Sequence, residues 1–376
     1  MENPFKNFTT ILTWPIIVPL AAWLVLAGAQ AGIVENLGIF YLPMMSAGLI
    51  GAVLAAVHHA EVVAHKLGEP FGTLLLAVAI TVIEVALIIS LMLTGGAETA
   101  ALARDTVFAA VMIIVSGIVG LCMLIGGVLY KEQTFKLHGA NAALTTLAAI
   151  VVLTLILPNY TTTSIGPVYS SSQLAFIAIV SLVLYCTFVF VQVIRHRNYF
   201  LDTNDDNDGE PIIAQIDSTK PVSNSTKVVF ISTLLLLVCL AAVVLLAKSL
   251  APEIKAMVAL IGAPHQLVGV IIASIVLLPE GLAAVRAARK NMFQTSLNLA
   301  LGSALASIGL TIPAVAILSL ITGWTLILGI DMKSTVLLLL ALFVSSLSLV
   351  TGRTNILQGV ILLLIFAVYL FTTVVP

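Results

Sequence analysis

The sequence predicts an all-α polytopic membrane protein of about eleven transmembrane helices, arranged as two inverted five-helix repeats plus an extra N-terminal helix. Three observations predict it. The 376 residues are 60% hydrophobic and only 9% charged, against about 25% charged in an ordinary soluble domain. Mean hydropathy is +1.17, more apolar surface than a soluble chain of this size can hide, so lipid must solvate most of it. The basic residues also fall unequally on the two sides of the apolar runs.

A bilayer crossing needs about 20 apolar residues. Runs of that kind lie at 9–30, 36–57, 71–94, 106–129, 139–158, 173–194, 227–248, 264–285, 295–318, 334–351 and 355–374. The stretch 312–330 fits this scheme least well; it reads either as a longer ninth helix or as a re-entrant piece. One side of the spans receives Lys6, Lys66, Lys131, Lys136, Arg195, Arg197, Lys220, Lys227, Arg286, Arg289, Lys290 and Arg353. The other receives Arg104, Lys248, Lys255 and Lys333. The richer side is expected to be cytoplasmic. The N-terminus is then inside and, with an odd number of spans, the C-terminus outside.

Several function classes are disfavoured. Net charge is −1 and no basic stripe offers itself to nucleic acid. Cys122, Cys186 and Cys239 sit in apolar runs without ligand spacing. The start MENPFKNFTT lacks a strongly basic region and a small-residue cleavage site, so the first apolar run reads as a retained span. The expected surroundings are lipid and small inorganic cations, with no cofactor.

The long polar segment 195–226 divides the chain. It holds Asp202, Asp205, Asp206, Asp208 and Glu210, and reads as a flexible acidic cytoplasmic linker, with a regulatory patch as the alternative. The expected parts are therefore an N-terminal helix (1–35), a first five-helix repeat (36–194), the linker (195–226) and a second repeat (227–376). Five spans on either side of the linker, an odd number, give the halves opposite orientation, as in many secondary transporters.

Each half carries one acid deep in a corresponding span. Glu84 lies in FGTLLLAVAITVIEVALIIS and Glu280 in HQLVGVIIASIVLLPEGLAAV. A carboxylate in hydrocarbon costs several kcal/mol unless it is neutral, paired or hydrated. No intramembrane Lys or Arg is at hand for either. Each must then be protonated or face a cation, and proton and cation become rival occupants of one site. Ca²⁺ takes about six to eight oxygens, so further ligands are expected from Ser116, Ser303 and Ser307, with Asn298 as another candidate, together with backbone carbonyls and water. Serines bonded to their own helix are the plainer reading of those hydroxyls. Pro279 and Gly302 are expected to break their helices, Pro279 because it removes a backbone donor just before Glu280. Candidate proton or cation access residues are His58 and Glu61, Asp105, and Glu132. His58, Glu61 and His65 share one face and could also be a metal site or simply a hydrated helix end.

These segments resemble the alpha repeats of the calcium/cation antiporter superfamily. The resemblance is closest to its proton-coupled branch, the ChaA-type sodium/calcium–proton antiporters. Its most specific stretch is PEGLAAVRAARKNMFQTSLNLALGSALASIGLTIP, residues 279–313, where a Glu helix, a basic-polar loop and a Gly-Ser helix follow in order. By this resemblance Glu280 and Glu84 stand where the repeats carry their cation- and proton-binding acids, and Gly302-Ser303 matches the Gly-Ser pair. Two departures stand out: AITVIE replaces the usual Gly-Asn before the first acid, and Ser116-Gly117 reverses the commoner order. The resemblance implies alternating access, with protons driving cytoplasmic Ca²⁺ outward and Na⁺ or K⁺ as further or alternative cations. A channel would not need two acids in inverted halves. A membrane enzyme would need a nucleophile or metal triad, and the His58/His59/Glu61/His65 group lacks the HExxH order.

Overall fold

A computed structural model describes residues 14–30, 40–67, 71–95, 99–201, 226–260, 262, 264 and 266–375. The helices are α1 (Trp14–Gln30), α2 (Tyr41–Leu67), α3 (Phe71–Gly95), α4 (Leu102–Met112), α5 (Val119–Tyr130), α6 (Leu137–Val151), α7 (Ser171–Phe190), α8 (Thr226–Leu260), α9 (Gln266–Val276), α10 (Leu278–Arg289), α11 (Phe293–Thr322), α12 (Met332–Leu349) and α13 (Ile356–Val374). Among the described residues eight helical stretches are long and apolar enough to cross a membrane, or nine with the bent pair α9–α10, and α1 and Val78–Leu93 of α3 are shorter apolar helices. Each of the eleven predicted spans falls on one of these. Asp202, Asp205, Asp206, Asp208 and Glu210 of the acidic linker lie outside the described residues.

The chain forms two compact units, Met1–Leu91 with Asp217–Met257, and Met92–Ile216 with Val258–Pro376. In the first, α1 packs on α2 through small residues. A Cβ on Gly51 would meet Val18 Cγ1 at 2.7 Å, and Gly48 faces Ala22, Val25 and, on α8, Leu246. Trp23 Nε1 donates to the Val238 carbonyl on α8 at 3.2 Å. Lipid supplies no hydrophobic drive between helices, so such close backbone approach and interhelical hydrogen bonds hold the unit together.

In the second unit α4 and α5 join through a π-helical segment, Ile113–Ile118, into one largely buried span, Leu102–Tyr130. Its glycines seat α13. A Cβ on Gly359 would lie 2.5 Å from the Leu124 nitrogen and 2.9 Å from the Gly120 carbonyl. A second π segment, Val152–Ile156, continues α6, and a third, Val191–Arg195, ends α7. A π turn leaves carbonyls without their usual helical donor, and here other elements supply one. Ser345 donates to the Val115 carbonyl at 3.5 Å, Tyr169 to Leu153 at 2.5 Å and the Ile330 amide to Leu155 at 2.9 Å. Burial pushes the Tyr169 hydroxyl up to about 12, so it stays a donor at any physiological pH.

Short pairings close both ends of this unit. At one end β1 (Gln133–Thr134) runs antiparallel to β2 (Arg353–Thr354). At the other, Val168 bridges Ile327.

Three expectations change. The seventh span, expected at 227–248, is a helix that runs on to Leu260 through Pro252; its extra turns carry Glu253 and Lys255, charges suited to water rather than hydrocarbon. The uncertain stretch 312–330 is a longer ninth helix: α11 passes Pro313 and stops at Gly323, whose φ of 72° gives the left-handed cap. Gly302 does not break its helix. α11 is continuous through it, because one glycine costs a helix only about 1 kcal/mol and its neighbours are strong helix formers. The break predicted at Pro279 is present, a 55° bend between α9 and α10.

Replacing Gly359 by Leu should destabilise the protein by about 2 kcal/mol through overpacking. A Cβ on Gly302 meets nothing within 4 Å, so Gly302→Ala should keep or raise stability. Thermal unfolding midpoints in detergent check both; an unchanged midpoint for Gly359→Leu would contradict the α5–α13 packing.

Candidate functional site

Glu84 sits in the first unit on α3, which runs unbroken past it. It is 4% exposed, with Thr81 buried one turn earlier. The local sequence is helical because nothing in AITVIEVALIIS interrupts the apolar run. The acid is therefore carried mid-helix, with no free backbone donors of its own helix near it.

Glu280 is placed differently. Pro279 has no N–H, so the carbonyl of Ile275, four residues back, loses its helical donor, and the chain restarts as α10 at Leu278. Glu280 thereby falls in the first turn of a half-helix, and it is 8% exposed. The positive end of the helix dipole and the unpaired first-turn amides favour a carboxylate there. Ser303 on α11 donates to Glu280 Oε1 at 3.3 Å. One turn on, Ser307 is buried at the i+4 position of the same helix. Ser296 fixes α11 to α10 by donating to the Ala284 carbonyl at 2.6 Å. The π segment also packs here, since a Cβ on Gly281 would touch Ile118 at 3.3 Å.

The other candidates separate. Ser116 is fully buried and donates to the Met112 carbonyl of its own helix at 2.5 Å; its proton is committed, and only its lone pairs remain for a cation. Asn298 does not join Glu280. Its Nδ2 donates to the Phe200 carbonyl at 2.5 Å and its Oδ1 accepts from Gln294 at 2.9 Å, so the amide is spent on a loop. Asp105 pairs with Arg104 at 2.8 Å, and Arg104 also reaches the Gly329 carbonyl. The two line a shallow cleft with Gln266, Asp331, Ser334 and Tyr369. Glu132, at the opposite end of the α4–α5 span, is exposed and meets Arg353 at 3.4 Å, so these two acids serve different ends. His58 packs against Trp14, ring centroids 5.4 Å apart, in the first unit, where Glu61 follows on the same helix. The side chain of His65 lies outside the described residues, and among those described no group of three or more His, Cys, Asp or Glu could hold a metal ion.

The sequence reading missed the clamp on the turn that follows Glu280's half-helix. Gln133 is buried and donates to the Ala288 carbonyl and to Asn291 Oδ1, both at 3.0 Å. Tyr130 donates to the Arg289 carbonyl at 2.7 Å, and Gln294 accepts from the Lys136 amide at 2.7 Å. Two of these bonds reach carbonyls at the C-terminus of α10, Ala288 and Arg289, where the helical pattern runs out. Asn291, at φ 61°, turns the chain into α11. The legible signal was Lys290-Asn291 after a helix end, since Asn tolerates the left-handed region.

The family model described as "Sodium/calcium exchanger protein" matches residues 37–194 and 231–375. The chain is 44% identical to y4hA of Sinorhizobium fredii, named as an ionic transporter, over 96% of each chain. It is 32% identical to the sodium-potassium/proton antiporter ChaA of Escherichia coli over 86% of each, and 24% identical to the Ca²⁺/H⁺ antiporter ChaA of Bacillus subtilis over 60% of this chain and 63% of that one. Among solved structures, native YfkE superposes with a TM-score of 0.70 at 18% identity, covering 96% of this chain and 99% of that one. The H⁺/Ca²⁺ exchanger CAX gives 0.68 at 16%, covering 96% and 89%. At such identities the superpositions show the fold alone.

Replacing Gln133 by Leu should leave Asn291 Oδ1 without the Gln133 donor and the Ala288 carbonyl with only the Asn291 amide, and so loosen the turn, at about 1–3 kcal/mol. Trypsin should then cleave severalfold faster at Arg289 or Lys290. An unchanged cleavage rate would mean that Gln133 does not hold the turn.

Proposed function

The chain belongs to the sodium/calcium exchanger protein family, and on that premise we propose that it moves cytoplasmic cations outward in exchange for external protons by alternating access. It is a secondary active transporter, a multi-pass membrane protein carrying small cations, and not an enzyme. The observation that carries the proposal is the buried Glu280 carboxylate at the start of a half-helix, hydrogen-bonded by Ser303. Glu84, buried in the first unit, is its counterpart. Two related halves of opposite topology, 36–194 and 227–376, each supply one acid. The double match of one family model, to 37–194 and 231–375, supports that reading.

The chemistry is competition. A proton on each acid neutralises it, and so does a bound cation; an empty, ionised pair is too costly in the membrane to cross often. Cation release and proton uptake are then obligatory partners. Ser303 and Ser307 offer oxygens to the cation, and the half-helix amides steady the carboxylate when the cation leaves. The relative with 32% identity is named for sodium, potassium and protons, and the one with 24% for calcium. We therefore assign Na⁺ or K⁺ to the substrate range together with Ca²⁺. The unequal distribution of basic residues supports a cytoplasmic N-terminus.

In inside-out vesicles loaded acidic, added Ca²⁺, Na⁺ or K⁺ should collapse the pH gradient. Glu280→Gln and Glu84→Gln should each abolish that response. Ser303→Ala should raise the half-saturating cation concentration by about 2–10-fold, the worth of one hydrogen bond. Because protons compete, half-saturation should also rise as pH falls. Normal exchange by both Gln variants would overturn the proposal. A response to Na⁺ and K⁺ with none to Ca²⁺ would remove calcium from it.

A further inference from the structure

The N-terminal helix α1 is tied to α2 by a hydrogen bond that its own proline makes available. Pro19 lies inside α1. Proline has no N–H, so the carbonyl four residues back, that of Pro15, loses its helical donor. His59 on α2 replaces it: Nε2 lies 3.1 Å from the Pro15 oxygen. A ring nitrogen facing a carbonyl oxygen must carry a proton. Neutral His59 is therefore the Nε2–H form, and its Nδ1 is a bare lone pair. That Nδ1 is buried and has no hydrogen-bond partner among the described residues, on a side chain 4% exposed. We propose that His59 Nδ1 is a proton-binding site separate from Glu84 and Glu280, and that its protonation undocks α1 from α2 and slows transport, an effect on transport that rests on the exchange reading above.

The physical reason is the surroundings. A proton on Nδ1 would place a second N–H and a full charge where none of the described groups accepts it, so the ring must leave its place to be hydrated. The described part of α1 has no ionisable side chain to offset the charge. On α2 the neighbouring groups are His58, whose ring centroid lies 5.6 Å away, and Glu61 and Lys66 farther along. Between Val228 and Ala247 of α8 the only titratable group is the buried Cys239 thiol, and along Val78–Leu93 of α3 it is Glu84. Leaving the pocket also strips Pro15 of its donor, so docking and protonation oppose each other.

Competition at the glutamates and protonation of His59 act on different constants. The first raises the half-saturating cation concentration; the second lowers the rate at saturating cation. In proteoliposomes taken from about pH 7.5 to 5.5, the wild-type saturated rate should fall severalfold. In His59→Gln, whose amide still donates to Pro15 but does not titrate, the saturated rate should stay flat while half-saturation keeps its pH dependence. Pro19→Ala returns a backbone donor to Pro15 and should rescue the stability lost in His59→Leu. A transport-independent readout is Trp14 emission in a Trp23→Phe, Trp324→Phe background. Its acid transition should vanish in His59→Gln and survive in His58→Gln. A saturated rate equally pH-dependent in wild type and His59→Gln, or a Trp14 transition unmoved by His59→Gln, would overturn the site. A transition lost in His59→Gln, in protein that exchanges no cation, would uphold the site and sink the exchange reading instead.

Discussion

A carboxylate inside a bilayer has to be compensated, and the second unit is arranged around that constraint at Glu280. The cost of an uncompensated acid is several kcal/mol, comparable to the whole net stability of many folds. Pro279 turns one span into two half-helices, which puts the acid in the first turn of the second, at the positive end of its dipole. α11 lies alongside and contributes Ser303, while Ser296 and the Gln133–Asn291–Gln294 clamp hold the two helices in register. None of these contacts neutralises the charge. On the exchange reading proposed above, they steady the carboxylate while proton and cation alternate as its compensators.

The same economy of backbone donors recurs elsewhere. At several places where a helix gives up its regular pattern, another element covers an exposed carbonyl. Ser345, Tyr169 and the Ile330 amide do so at the π segments, and His59 does so where Pro19 interrupts α1. In lipid an uncovered carbonyl has no water to fall back on, so these irregularities survive only where a partner is built in. They are also where a helix has two workable hydrogen-bond states, and His59 is the one whose cover can itself take up a proton.

Much of this was legible in the sequence because hydrocarbon imposes a strict pattern. Apolar runs located the spans, and Glu84 and Glu280 stood out as acids within them. Pro279 announced its break through the loss of a donor. Gly302 misled, since glycine permits a kink without requiring one, and neighbouring Leu, Ala and Ser kept α11 straight. Asn298 misled as well: a polar residue on an apolar helix advertises a partner but not which one, and here Phe200, distant in sequence, claims it. Gln133 was overlooked for a related reason. It lies in a short loop beside charged residues, and only the tertiary approach of the α10–α11 turn buries it. The π segments carry no signature in IIVSGI or VLTLI that separates them from ordinary helix.

Proton counting on the purified protein bears most directly on whether a cation and protons share the Glu280 carboxylate. In weakly buffered detergent solution near neutral pH, addition of Ca²⁺, Na⁺ or K⁺ should release protons in step with cation binding. Glu280→Gln should release fewer per cation bound or fail to bind. Cation binding that releases no protons, or the same number with and without the Glu280 carboxyl, would contradict the shared site.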